Sequence, residues 1–276
     1  MAKLPLLDFH SHGAVSQDKR QEIRNALEEC YLRLGQRLPE RVEVHLFETQ
    51  VQLGAFLETE KAELGIQTTG DEAFICSHDA WRDFPRLLIC VERLFSLATL
   101  ARLGTIRHEA AHTVLHGALV YYIFQIPPDC VELAQAKGMD LNLMQQVLYF
   151  CATAVKDFEV TRLLLRKGYR GCQLALAKAQ FLPSDEDKLA WSLTQCHPQG
   201  VLIFFAAQLK TLLLGFALAA AGLMQLEEST DSMLNYIESE ERRRLLGLVA
   251  SIDGELGDDT HDNVRLALQK VLRELL

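Results

Sequence analysis

The sequence predicts an α+β fold that is predominantly helical, with a small N-terminal sheet packed on a helical body. Segments that alternate polar and apolar residues are confined to the first third of the chain, which is typical of strands. From Ser96 onward turn residues become rare, and apolar residues recur with the helical period of about 3.6. We therefore expect an α+β lobe over residues 1–95 and a helical region over residues 96–276, joined in one compact unit.

In the N-terminal lobe the pattern predicts one helix and three strands. Apolar residues follow one another at spacings of three and four between Ser16 and Leu34, with Ser16 as the N-cap and Gly35 just beyond the end. The predicted strands are Arg41–Leu46, Asp71–Cys76 and Arg86–Val91. Asp8, His10 and His12 precede the helix, and we interpret them as a polar N-terminal arm.

The rest of the chain is predicted as helices separated by short turns. Val201–Met224 is apolar enough to be weighed as a membrane span, but Lys210 within it favours a buried core helix, so no stable membrane insertion is expected. The predicted helices are Leu97–Phe124 (stopped by Pro127–Pro128), Cys130–Lys137, Leu141–Lys167, Gln173–Phe181, Ser184–Cys196, Gly200–Leu226, Ser232–Ile252 and Asp262–Leu276.

The composition excludes some partners. The net charge is −9 and Lys and Arg form no long cluster, so nucleic acid is not an expected partner. The seven cysteines are odd in number and form no CxxC pair, which predicts reduced thiols. Together with an N-terminus that has no long apolar run, they indicate a cytoplasmic protein. Nothing in the sequence indicates an oligomeric state.

The strongest chemical signal is the run His108-Glu109-Ala110-Ala111-His112 inside a predicted helix. Histidines four residues apart lie one turn apart on the same face, so both imidazoles can bind one metal ion. The flanking residues are mainly apolar, and buried histidines and a carboxylate would be costly without a shared partner such as Zn²⁺. A carboxylate beside the metal can act as a general base, and we assign this role to Glu109.

The HExxH helix, the strand-rich segment before it and the acidic helix after it resemble the zincin superfamily of metallopeptidases. The resemblance implies that the two histidines are metal ligands, that a later helix supplies a third, and that an edge strand aligns an extended peptide or protein substrate. It assigns no subfamily, because the third histidine of metzincins is absent at its spacing. His116 lies one turn further along and is expected in the pocket wall rather than as a ligand.

The third ligand is sought on the predicted helix 141–167. Asp157 shares its face with small and apolar residues, whereas Glu159 has Lys156 and Arg162 three residues away on either side. We therefore choose Asp157 as the ligand and keep Glu159 as the alternative. Tyr149, two turns earlier, is a possible stabiliser of a developing oxyanion.

The sequence thus predicts a zinc metallopeptidase with His108, His112 and Asp157 as ligands and Glu109 as base. The alternative is a metal-binding or catalytically degenerate zincin-like protein that acts as an interaction module. Two other signals are set aside. The HxH pair His10 and His12 resembles the start of amidohydrolase barrels, but the long helices that follow do not fit a barrel. Cys196-His197 is interpreted as a loop.

Overall fold

The computed structural model of the protein describes residues 3–35, 37–65 and 74–276. It is mostly helical with a small N-terminal sheet, so the α+β class is confirmed. The chain forms two units: Met1–Tyr122 with Leu163–Leu176, and Ile123–Arg162 with Ala177–Leu276. The boundary expected between residues 95 and 96 falls inside the first unit, because the helix that carries the HExxH motif packs on the sheet.

Within the described residues the sheet has four strands in the order β1-β2-β4-β3. The first three in this order run parallel, and β3 is an antiparallel edge strand. The predictions at 41–46 and 86–91 are confirmed to within one residue. Of the predicted strand Asp71–Cys76, residues 71–73 lie outside the described part, and β3 begins only at Cys76. The strands are β1 (Leu6–His12), β2 (Arg41–Phe47), β3 (Cys76–Asp79) and β4 (Arg86–Cys90).

Strand β1 corrects the interpretation of the N-terminus as a polar arm. Leu6 pairs with Arg41 and His12 with Phe47 along a parallel ladder. The interpretation was wrong because an edge strand needs only one neighbour and tolerates alternating polar side chains. Leu7 supplies the buried side of this alternation.

The helices of the first unit lie on both faces of the sheet. On one face α2 packs against Phe47 and Leu88 through Leu53 and Leu57. On the other, α4 packs against β3 and β4, and α1 packs against α4. The predicted N-cap of α1 is confirmed, because the Ser16 side chain accepts a hydrogen bond from the backbone N–H of Lys19. These helices are α1 (Gln17–Leu34), α2 (Gln50–Leu64), α3 (Val91–Ser96) and α4 (Thr99–Leu115).

The HExxH helix α4 is shorter than predicted. It ends at Leu115, and a short 3-10 helix follows at Leu119–Tyr122, whereas the sequence predicted one helix as far as Phe124. The chain turns at Gly117, where a Cβ atom would collide with the carbonyl oxygen of Thr113. A glycine at this position therefore permits the turn.

The second unit is built around the apolar helix α9, which packs against α8, α10, α11 and α12. By length and composition α9 could cross a membrane, but 72% of its apolar window is buried inside the protein. This burial is what the core-helix interpretation requires. The remaining helices are α5 (Pro128–Ala136), α6 (Leu141–Arg166), α7 (Arg170–Gln180), α8 (Asp185–Thr194), α9 (Pro198–Ala220), α10 (Leu226–Met233), α11 (Ser239–Asp253) and α12 (Thr260–Leu275).

A buried guanidinium joins three elements of the first unit. Arg86 of β4 is 1% exposed and donates two hydrogen bonds to Glu60 of α2, both at 2.7 Å. It donates two more to Asp79 of β3, at 2.8 and 2.9 Å. Burial raises the pKa of Asp79. At Glu60 burial also acts to raise the pKa, but the hydrogen bonds and charges of Arg86 and Arg82 together outweigh it, and the pKa is lowered.

Replacing Arg86 tests this arrangement. We expect Arg86→Leu to lower the free energy of unfolding by roughly 3–5 kcal/mol, because two buried carboxylates lose their counterion. Urea denaturation measures the change. Arg82→Leu is the control: Arg82 also pairs with Glu60, at 2.9 Å, but its side chain is 42% exposed. The control should cost less than about 1 kcal/mol, and equal losses for both variants would contradict the assignment.

Candidate metal centre

Helix α4 carries two buried histidines on one face, and a third follows directly after its last residue, Leu115. His108, His112 and His116 follow one another at intervals of four residues and are 7%, 1% and 0% exposed. Imidazoles on successive turns of a helix lie side by side, so their ring nitrogens can contact each other. The face is fixed in the fold because α4 packs between α1 and the sheet.

The two histidines of the HExxH motif direct the same ring atom toward each other. Nε2 of His108 lies 3.1 Å from Nε2 of His112. Two imidazole nitrogens bound to one tetrahedral zinc, each at about 2.1 Å, are roughly 3.3 Å apart. The observed separation is therefore close to that of two ligands of one ion, or of a nitrogen pair that shares one proton.

His116 lies behind His112. Its Nδ1 is 3.0 Å from Nδ1 of His112, and its ring meets the ring of Tyr121 edge to face at 5.4 Å. A histidine that binds metal through one nitrogen commonly uses the other in a hydrogen bond that fixes the ring. His116 is placed to provide this hydrogen bond to His112.

His78, on the edge strand β3, is a site residue that the sequence pattern did not predict. Nδ1 of His78 lies 2.7 Å from Oε2 of Glu109, and its ring stacks on His112 with centroids 3.7 Å apart. The register explains this position: His78 pairs with Leu87, whose side chain lies on the sheet face that α4 covers. A strand of four residues has too short an alternation to reveal this from sequence.

Two sets of possible ligands therefore share His112 in the first unit. One is the pair His108 and His112. The other consists of His78, Glu109 and His112, which each offer a ligand atom within 4.8 Å of the other two. Glu109 would be a base beside the metal if the first set holds an ion, and a ligand if the second set does. The two sets give different chemistry and can be tested separately.

Besides Tyr121, which contacts His116, Tyr122 of the first unit lies at these histidines. The ring of Tyr122 is 6.1 Å from that of His78, at a tilt of 55°. Burial, with the charges of Asp79 and Glu109 in addition, raises the pKa of Tyr122 well above its ordinary value, so the phenol keeps its proton. Tyr149, the tyrosine singled out from sequence, belongs to the second unit, is 41% exposed and packs against Phe150. Its predicted role stays a prediction.

The predicted third ligands both lie on the part of α6 that belongs to the second unit. Asp157 is 8% exposed, and its Oδ2 lies 3.0 Å from Nζ of Lys210. Glu159 accepts hydrogen bonds from Thr260 at 2.8 Å and Asn263 at 2.7 Å, one on each carboxylate oxygen. These bonds give Glu159 a role in holding α12. The assignment of Asp157 as third ligand stays a prediction.

The remaining motifs are placed as follows. Cys196 and His197 form the turn between α8 and α9, as the loop interpretation expects. His10 and His12 lie on β1 and share one face of the sheet, although the rest of the described chain forms no barrel. No family model, no curated protein and no solved structure matches this chain.

A buried hydroxyl pair joins α1 to α4 beside the histidines. The hydroxyl of Tyr31 and Oγ1 of Thr113 are 2.8 Å apart, and Thr113 also donates to the carbonyl oxygen of Ala110. Tyr31 is completely buried, and burial raises the pKa of its hydroxyl.

We expect Thr113→Val to lower the free energy of unfolding by about 1–3 kcal/mol, because it leaves the buried Tyr31 hydroxyl without this partner. Tyr31→Phe removes the hydroxyl itself and should cost less, about 1 kcal/mol. Thermal or urea unfolding of both variants measures the difference. A larger loss in Tyr31→Phe would show that the hydroxyl pair does not determine the stability here.

Proposed function

We propose that the protein is a zinc-dependent hydrolase of the zincin-like type that cleaves a peptide or amide bond. The observation that carries the proposal is the convergence of the two HExxH imidazoles, whose Nε2 atoms are 3.1 Å apart on a buried helix face. Glu109 lies between these histidines in sequence. Its side chain is 14% exposed, so it is largely buried but still accessible to a water molecule. His108 and His112 would hold the zinc ion.

Each of the site residues of the first unit would have a different role in the reaction. A zinc ion at the two histidines would supply a Lewis acid and lower the pKa of a coordinated water toward about 7. Glu109 accepts the proton of the attacking water. His78, 2.7 Å from Glu109, orients this carboxylate and can take part in moving the proton on to the leaving amine. His116 fixes the ring of His112 through the Nδ1 contact.

The edge strand β3 supports a peptide as the substrate class. β3 lies at one end of the strand order, and its His78 contacts Glu109. An extended peptide can add to such an edge through main-chain hydrogen bonds, which brings its backbone close to the catalytic carboxylate. The resemblance to zincins implies the same arrangement. The substrate class is therefore a peptide or an unfolded segment of a protein.

A second candidate function follows from the His78 contact. If His78, Glu109 and His112 bind the ion together, Glu109 is a ligand and cannot act as the base. The site would then be a metal-binding site without hydrolytic activity, as in a degenerate zincin-like protein that serves as an interaction module. The ligand atoms of these three residues lie within 4.8 Å of one another, which is close enough for them to bind one ion. This observation favours the second candidate.

Metal content and activity of Glu109→Gln separate the two functions. We expect His112→Ala to bind one equivalent of zinc fewer than the parent chain, as measured by elemental analysis after dialysis. Glu109→Gln should keep this equivalent and lose hydrolysis of an unstructured protein substrate by about 10²–10⁴-fold, because only the base is removed. Loss of the zinc in Glu109→Gln would instead identify Glu109 as a ligand and overturn the hydrolase.

The third ligand is tested by neutral variants of the two acidic residues on α6. We expect Asp157→Asn to weaken zinc binding at least about 10-fold, because an amide is a poorer ligand than a carboxylate. Glu159→Gln should leave zinc affinity unchanged, because both of its oxygens serve Thr260 and Asn263. Zinc titration of the whole chain gives both affinities. The opposite order would transfer the assignment to Glu159.

A further inference from the structure

A second group of side chains of the types that can bind a metal ion lies on the sheet face opposite α4. The parallel ladder pairs Asp8 with Glu43 and His10 with His45. Side chains two residues apart in a strand share a face, so His12 joins this group. We call His10, His12, Glu43 and His45 the β1–β2 cluster. It shares no residue with the HExxH site.

Three members of the β1–β2 cluster converge. His10, Glu43 and His45 each offer a ligand atom within 4.8 Å of the other two. Nε2 of His45 lies 3.4 Å from Oε2 of Glu43, and the rings of His10 and His45 stack with centroids 4.8 Å apart. A charge-assisted hydrogen bond would be shorter, about 2.8 Å. The longer distance is roughly that between two ligands of one zinc ion.

The surrounding side chains orient these ligands. Nε2 of His12 lies 3.1 Å from Nδ1 of His45, so the two nitrogens of His45 face His12 and Glu43. Arg41 donates to Oε1 of Glu43 at 2.8 Å, which directs Oε2 toward His45. His45 is 8% exposed, whereas the side chain of His10 is 42% exposed. One side of the cluster is therefore open to an ion from solvent.

The charges of the cluster favour a cation. Asp8 and Glu43 share the single guanidinium of Arg41, at 2.6 and 2.8 Å. The two carboxylates therefore carry one negative charge more than the guanidinium that they share.

We propose that His10, Glu43 and His45 bind one divalent transition-metal ion, with His12 as a residue that positions His45. Two imidazoles and a carboxylate suit zinc and its neighbours in the first transition row. Ordinary aromatic packing accounts for His12, whose ring stacks on Phe47 at 4.4 Å, but it does not explain why three ligand atoms converge beside it. The ion would join the edge strand β1 to β2.

Zinc titration of the whole metal-free chain by calorimetry tests the proposal. His10→Ala is the main variant, because its exposed side chain can be removed without opening the core. Glu43→Gln is a second variant that keeps the side-chain volume. The matched control is His197→Ala, an exposed histidine at the start of α9 that belongs to neither site. Circular dichroism checks that each variant folds as the parent does.

We expect His10→Ala and Glu43→Gln each to lose one equivalent of zinc, or to bind it at least about 100-fold more weakly. His197→Ala should keep the full number, and His112→Ala should retain the equivalent that His10→Ala loses. This pattern supports the β1–β2 site whether or not the HExxH histidines bind metal. If they bind none, the parent chain binds one equivalent of zinc in total, and His10→Ala loses it. The same number and affinity in the parent and in His10→Ala would overturn the proposal.

Discussion

The geometry of the first unit depends on one buried cation. Arg86 pairs with Glu60 of α2 and Asp79 of β3 through four hydrogen bonds of 2.7–2.9 Å, and a buried charge is tolerated only when it is compensated in this way. β3 has four residues and is hydrogen-bonded to β4 alone in the described sheet, so ladder bonds by themselves specify its register weakly. The pairs with Arg86 fix that register.

This register matters because a shift of one residue would turn His78 away from α4. His78 is the side chain that touches Glu109, and it also stacks on His112. The side chains of Glu109 and His112 are thus positioned both by helix α4, which carries them, and by strand β3, whose His78 contacts them. Such support keeps a carboxylate in a fixed orientation, which both base catalysis and metal binding require.

Local sequence signals worked where neighbouring residues determine the structure. Ser16 caps α1 through its own side chain, and the alternation of β2 reflects one face packed in the core. All seven cysteines are free thiols, as their number and scatter predicted. Helix α2 was not predicted, although Thr49 and Gln52 form a capping box at its start. The end of α4 was predicted too late, because the turn at Gly117 depends on a close approach of its backbone to Thr113, which periodicity does not report.

The sequence by itself determined the helical class, the N-terminal sheet and the motif that brings His108, Glu109 and His112 onto one helix, because i and i+4 positions share a face in any α-helix. Only the tertiary structure decided that His78 meets Glu109 and that β1 brings His10 beside His45. These contacts join residues 31 and 35 positions apart. They depend on strand pairing and register, which are set by packing between elements and leave little trace in a local pattern.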